Sequence, residues 1–154
     1  DLGFYASCFS IYAVCQVAMS IVTGVLVDRF GALSLTPFYL LPMVFSTVVI
    51  AFCDASWTIV LFMALAGTTG GATATIISTM WAELYGVLHL GSIKAMVAGI
   101  QVIASALGPA VFGLLIDMDI RIEYISLVCG AYAFFGCILL AVLFRPDILV
   151  FWKY

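Results

Sequence analysis

Few residues of this chain have side chains that do chemistry, and their spacing excludes most kinds of it. Lys and Arg total 5 and Asp and Glu total 8, with 1 His, in 154 residues. An enzyme working inside an apolar protein needs an Asp, a His or a Ser–His arrangement at depth. Here the acids and bases fall in short segments between apolar runs, and His89 reads as a solvated loop residue. No enzyme is expected. The five cysteines (Cys8, Cys15, Cys53, Cys129 and Cys137) lack metal-ligand spacing and mostly lie within apolar runs, where they read as small hydrophobes, so no metal or cofactor is expected. The basic residues never cluster, which leaves no nucleic-acid surface. What remains is interfacial electrostatics and buried hydrogen bonding. The first is carried by Asp28-Arg29 and by Glu83 with Lys94, the second by the amides Gln16 and Gln101.

The elements that must position these groups follow from composition. The chain is 66% hydrophobic and 8% charged, with a mean hydropathy of +1.31. Soluble domains carry roughly 45–50% apolar and about 25% charged residues. So few charges cannot clothe a water-soluble surface, and the exterior is solvated by lipid. The expected fold is all-α integral membrane, with about five transmembrane helices. Crossing a ~30 Å hydrocarbon core takes about 20 apolar residues. Five runs qualify, at about 4–27, 36–53, 57–81, 93–116 and 122–144, with a short tail over 145–154. Pro37 opens the second run, where a first helical turn tolerates it. The runs are apolar on every face, which excludes the alternating pattern of a membrane barrel.

Orientation follows from Lys and Arg. With the Asp28–Leu35 loop placed in the cytoplasm, that side carries Arg29, Lys94, Arg145 and Lys153. The opposite side keeps Arg121, beside Asp1, Asp54, Asp117, Asp119 and Glu123. This puts the N-terminus outside and the C-terminus inside a cell membrane. The chain opens on Asp1 with no initiator Met and no signal peptide, so it is expected to be a fragment of a longer protein.

The most specific local pattern is Gly24-Val25-Leu26-Val27-Asp28-Arg29-Phe30-Gly31, where a helix reaches the interface, exposes a carboxylate and a guanidinium, and turns at a glycine. The octet resembles the Gly-x-Leu-x-Asp-Arg-x-Gly signature of the major facilitator superfamily, found between the second and third, and again the eighth and ninth, helices. It departs from the fuller pattern in that Ala32-Leu33 replaces the usual basic pair. The segment Trp81-Ala82-Glu83-Leu84-Tyr85-Gly86, followed by His89-Leu90-Gly91-Ser92-Ile93-Lys94, resembles the cytoplasmic loop before the eleventh helix of some bacterial facilitators, with Lys94 where Arg is commoner. The resemblance implies that Gly24, Asp28, Arg29, Gly31, Glu83 and Lys94 belong to one cytoplasmic gate that sets the inward–outward equilibrium.

Inside the membrane, the third run carries Gly67-Thr68-Thr69-Gly70-Gly71-Ala72-Thr73-Ala74-Thr75, small enough for close backbone packing. Gly67 and Gly71 are expected packing positions, and Thr68 and Thr69 are candidate cavity residues. An amide in hydrocarbon must face protein or a wet cavity. Tyr12 and Gln16 share one face of the first helix, and Gln101 and Ser105 share one face of the fourth, each pair four residues apart. These faces serve either interhelical hydrogen bonds or a solute cavity. Gly108-Pro109, with Gly113-Leu114-Leu115-Ile116-Asp117, resembles facilitators of the monocarboxylate and oxalate–formate kind. Pro109 is expected to bend the helix, and Gly108 and Gly113 to admit a neighbour.

The resemblance implies part of a six-helix facilitator bundle. The short tail points to the C-terminal half, with the N-terminal half as the missing partner and a small-molecule substrate, such as an organic anion, carried across the bilayer by alternating access. No charged residue lies in the middle of a run, so a cation for such an anion is expected in the other half. A membrane scaffold without transport is the alternative.

Overall fold

The computed structural model describes the backbone of residues 2–52 and 57–144, with side chains from residue 7 onward within those ranges. Expectations for Asp1, Cys53, Asp54, Arg145 and Lys153 lie outside the described residues. Within them the chain forms helices and no strand: α1 (Leu2–Phe30), α2 (Ala32–Leu35), α3 (Leu41–Phe52), α4 (Trp57–Tyr85), α5 (Leu90–Asp117) and α6 (Ile122–Leu143). Four of the described helices have spanning length and apolar character: Ser7–Phe30 within α1, then α4, α5 and α6. Large apolar side chains stand exposed along α1, α5 and α6, for example Phe9, Ile100, Leu107 and Tyr132, and at the two ends of α4. In water that surface would aggregate, whereas acyl chains solvate it. The chain is an all-α membrane domain.

The second run departs from the single helix expected over 36–53. Pro37 and Pro42 lack the N–H groups that would reach back four residues. Around them the backbone tightens to three-residue bonds: Phe38 N–H to Leu35 O at 3.0 Å, Leu41 N–H to Phe38 O at 3.1 Å and Met43 N–H to Leu40 O at 3.0 Å. The four-residue pattern resumes with Val44 N–H to Leu40 O at 3.1 Å. The 12 residues of α3 alone measure about 18 Å at the α-helical rise. It is the helical turns of Ala32–Phe52 together that extend along the bundle.

Helices α1, α4 and α5 run longer than their apolar runs, and α6 closely matches its own. Glu83 lies in the last turn of α4 and Lys94 in the second turn of α5, so the connection between them shrinks to residues 86–89, with Gly86 at φ 70°. Lys94 is therefore a helix residue, as the run over 93–116 implied, whereas Glu83, expected in the loop, lies in α4.

Packing is pairwise. Helices α1 and α4 run parallel with a constant offset of 55 residues: Tyr12 faces Gly67, Gln16 faces Gly71, and Ser20 Oγ lies 3.2 Å from Thr75 Oγ1. Helices α3 and α6 run antiparallel. Ser126 Oγ donates to Thr47 O at 2.8 Å, a Cβ on Gly130 would stand 2.6 Å from Thr47 Oγ1, and Leu40 meets Gly136 farther along. Val27, Ala32, Ala72, Ile76 and Met80 form a buried cluster where α1, α2 and α4 converge. Helix α5 has no buried residue.

Thr23 is 2% exposed, and its hydroxyl has no hydrogen-bond partner among the described residues. A buried unsatisfied hydroxyl costs free energy that a methyl does not. Thr23→Val is expected to raise stability by about 1 kcal/mol, read as a higher Tm in detergent micelles; a lower Tm would show that the hydroxyl is bonded.

Candidate functional site

The signature octet ends α1. Asp28, Arg29 and Phe30 are exposed, and the chain reverses at Gly31, whose φ of 79° suits glycine. The turn leaves the first N–H groups of α2 without helical acceptors. Glu83, arriving at the end of α4, supplies them: Ala32 N–H donates to Glu83 Oε1 at 2.9 Å and Leu33 N–H to Glu83 Oε2 at 3.3 Å. This carboxylate thereby ties the end of α4 to the turn after α1. The signature's usual basic pair would have stood at 32 and 33, yet the contact there is made by backbone amides, and the Ala32 side chain is buried in the cluster with Val27 and Ala72.

The gate residues do not form a single ionic network in this conformation. Among the described residues the one ion pair is Arg121–Glu123, on the far side of α5. The Arg29 guanidinium lies 5.6 Å from the centroid of the Phe30 ring, and Lys94 Nζ donates to Ser78 Oγ at 2.6 Å. Asp28, Arg29, Glu83 and Lys94 nonetheless occupy one end of the bundle, because α1 and α4 finish there and α5 begins there. Gly24 has open space where a Cβ would stand.

The small residues of α4 are resolved into two roles. A Cβ on Gly67 would meet the carbonyl oxygen of Tyr12, and one on Gly71 the carbonyl oxygen of Gln16, so both are packing positions. Tyr12 Oη and Gln16 Nε2 lie over Gly70, at 3.0 Å and 3.6 Å from its would-be Cβ. The threonine hydroxyls bond back to their own helix: Thr68 to Leu65 O at 2.7 Å, Thr69 to Leu65 O at 3.1 Å and Thr73 to Thr69 O at 2.6 Å.

Two clefts flank this helix. One, of about 290 Å³, runs between α1 and α4 past Gln16, Ser20 and Gly71. The other, of about 550 Å³, runs between α4 and α5 past Ser78, Trp81, Lys94 and Gln101. Ala74 lines both. Gln16 and Gln101 thus stand in adjacent clefts, not in one. Ser105 donates to Val102 O at 2.8 Å within its own helix and joins neither cleft. Gly108 and Gly113 have nothing within 4 Å of a would-be Cβ, so neither admits a neighbour among the described residues. Helix α5 continues unbroken through Pro109.

Sequence reasoning passed over Ser20 and the Ala32 and Leu33 amides. Ser20 was signalled by its place four residues beyond Gln16. Backbone donors carry no sequence signal at all.

Comparison with curated proteins found no match, and comparison with solved structures found none either. A sequence model of the Major Facilitator Superfamily matches residues 1–149. The apolar helices, the octet at the end of α1 and this match agree: the chain belongs to the Major Facilitator Superfamily, a family of membrane transporters.

Proposed function

We propose that the chain contributes the C-terminal helices of a facilitator that moves a small organic anion by alternating access. The observation that carries this reading is the pair of clefts meeting at Ala74, one beside Gln16 and one beside Lys94 and Gln101. Lipid-facing helices have no reason to hold amides, whereas a solute path does. Helix α5, with no residue buried, has its own face to offer a second bundle, and alternating access needs two bundles rocking about a midplane site. In this reading the end carrying Gly24, Asp28, Arg29, Gly31 and Glu83 is cytoplasmic, and the Glu83 contacts close that side.

The test is uptake of a panel of small organic anions into proteoliposomes holding the natural full-length product that contains this chain. Saturable uptake is expected, and its absence for every solute would support a scaffold instead. Asp28→Lys, which puts a cation in place of an exposed carboxylate beside Arg29, is expected to lower uptake by about tenfold, with membrane insertion unchanged. Uptake equal to the parent's would remove Asp28 from the gate.

A further inference from the structure

We propose that the groove between α3 and α6 binds a neutral, lipid-soluble carbonyl compound of the quinone type, whose carbonyl oxygens accept hydrogen bonds from the Tyr39 and Tyr132 hydroxyls. The groove shares no lining residue with the clefts that flank α4, so the inference stands apart from the transport reading.

Tyr132 stands ten residues after Ile122 and eleven before Leu143, in the middle of the 22-residue α6, and is 80% exposed. Tyrosine is at home at the membrane–water boundary, where its ring meets hydrocarbon and its hydroxyl meets water. Tyr124, in the first turn of α6, fits that habit. At mid-helix no water is at hand, and a hydroxyl left unpaired in hydrocarbon is costly. Among the described residues neither Tyr132 nor Tyr39 makes a hydrogen bond. Acyl chains carry no acceptor at this depth.

Both tyrosines line a groove of about 620 Å³, within the range of small-ligand sites. Leu40 meets Gly136 there, and a Cβ on that glycine would stand 3.4 Å from Leu40 Cδ1. Met43 and Ala133 continue the apolar wall. Tyr39 lies just before Leu40, and Tyr132 lies one turn from Gly136. On antiparallel helices this sets the two tyrosines roughly 8 Å apart along the groove. A phenol with no other partner has its proton to donate. No charged residue lines the groove, so a charged ligand would lose its hydration without compensation. Two donors at opposite ends of an apolar slot match a flat ring with carbonyl oxygens on opposite edges.

The probe is duroquinone, compared with durene, the same tetramethylated ring without carbonyls. Binding is measured by equilibrium dialysis against nanodiscs holding the natural full-length product that contains this chain, with empty nanodiscs as the blank. Saturable binding of duroquinone above the blank is expected, about tenfold tighter than that of durene. Tyr132→Phe and Tyr39→Phe are each expected to weaken it about three- to tenfold and to leave durene unchanged. Tyr124→Phe, outside the groove, is expected to alter neither. Ala133→Phe, which fills the groove, is expected to reduce binding of both compounds; if it does not yield monodisperse protein, the tyrosine variants carry the test. Equal binding of duroquinone and durene assigns the groove to acyl chains and overturns the proposal. Crosslinking of Tyr132→Cys between copies, without duroquinone binding, overturns it in favour of a second copy of the chain. So does the lack of saturable binding, or duroquinone binding unmoved in both groove tyrosine variants. Solute uptake, present or absent, bears on the transport reading alone.

Discussion

Gly71→Ala is expected to disrupt the packing of α1 against α4. The added Cβ would meet the carbonyl oxygen of Gln16 and stand 2.9 Å from the Ser20 nitrogen, both backbone atoms that no rotamer change moves aside. Alanine gains about 1 kcal/mol of helix propensity over glycine. Overpacking costs typically about 1–3 kcal/mol and more where backbone must shift, so the overlap wins. The same holds at Gly67, beneath the carbonyl of Tyr12. Gly99, which has nothing within 4 Å, provides the control: Gly99→Ala is expected to be neutral or stabilising by up to about 1 kcal/mol. Thermal unfolding in detergent, with size-exclusion profiles, reads all three variants. Equal Tm values for Gly71→Ala and Gly99→Ala would mean that the two helices do not approach this closely.

The second large effect belongs to Glu83. Its two oxygens accept from Ala32 and Leu33, and a hydrogen bond to a charged group contributes about 1.5–3 kcal/mol. Glu83→Ala leaves both amides without that acceptor. If the contact closes one side of the transporter, its loss shifts the inward–outward equilibrium by about ten- to a hundredfold. Glu83→Gln keeps one oxygen as acceptor and loses the charge, so an intermediate shift is expected. Accessibility of a cysteine placed at Ser34, read by a membrane-impermeant maleimide during turnover, follows the opening. Labelling rates that match the parent in both variants would reduce Glu83 to a helix-end residue with no part in gating.

These two cases differ in how visible they are before folding. Gly67 and Gly71 stand out in sequence because small residues four apart on an apolar helix have few purposes besides close approach. The partner face is harder to read. Tyr12, Gln16 and Ser20 recur every four residues, but the 55-residue offset that seats them on Gly67, Gly71 and Thr75 is set by packing. Glu83 was visible as an acid near a helix end, while its acceptors' partners, two main-chain amides, were not. The break in the second run was written in Pro37 and Pro42. Reading Pro37 as a helix opener ignored that two prolines five residues apart remove successive donors from the same turns.

Lipid as solvent, helices as the elements and the placing of charges at helix ends all followed from the order of residues, because hydropathy and helix length are local, additive properties. Which polar groups meet did not follow. Lys94 lies near Glu83 in sequence, yet its ammonium crosses to Ser78 on α4, and Gln16 and Gln101 lie in neighbouring clefts, not a common one. Those outcomes depend on helix register and crossing, which are fixed by contacts between residues tens of positions apart, and only the assembled bundle supplies them.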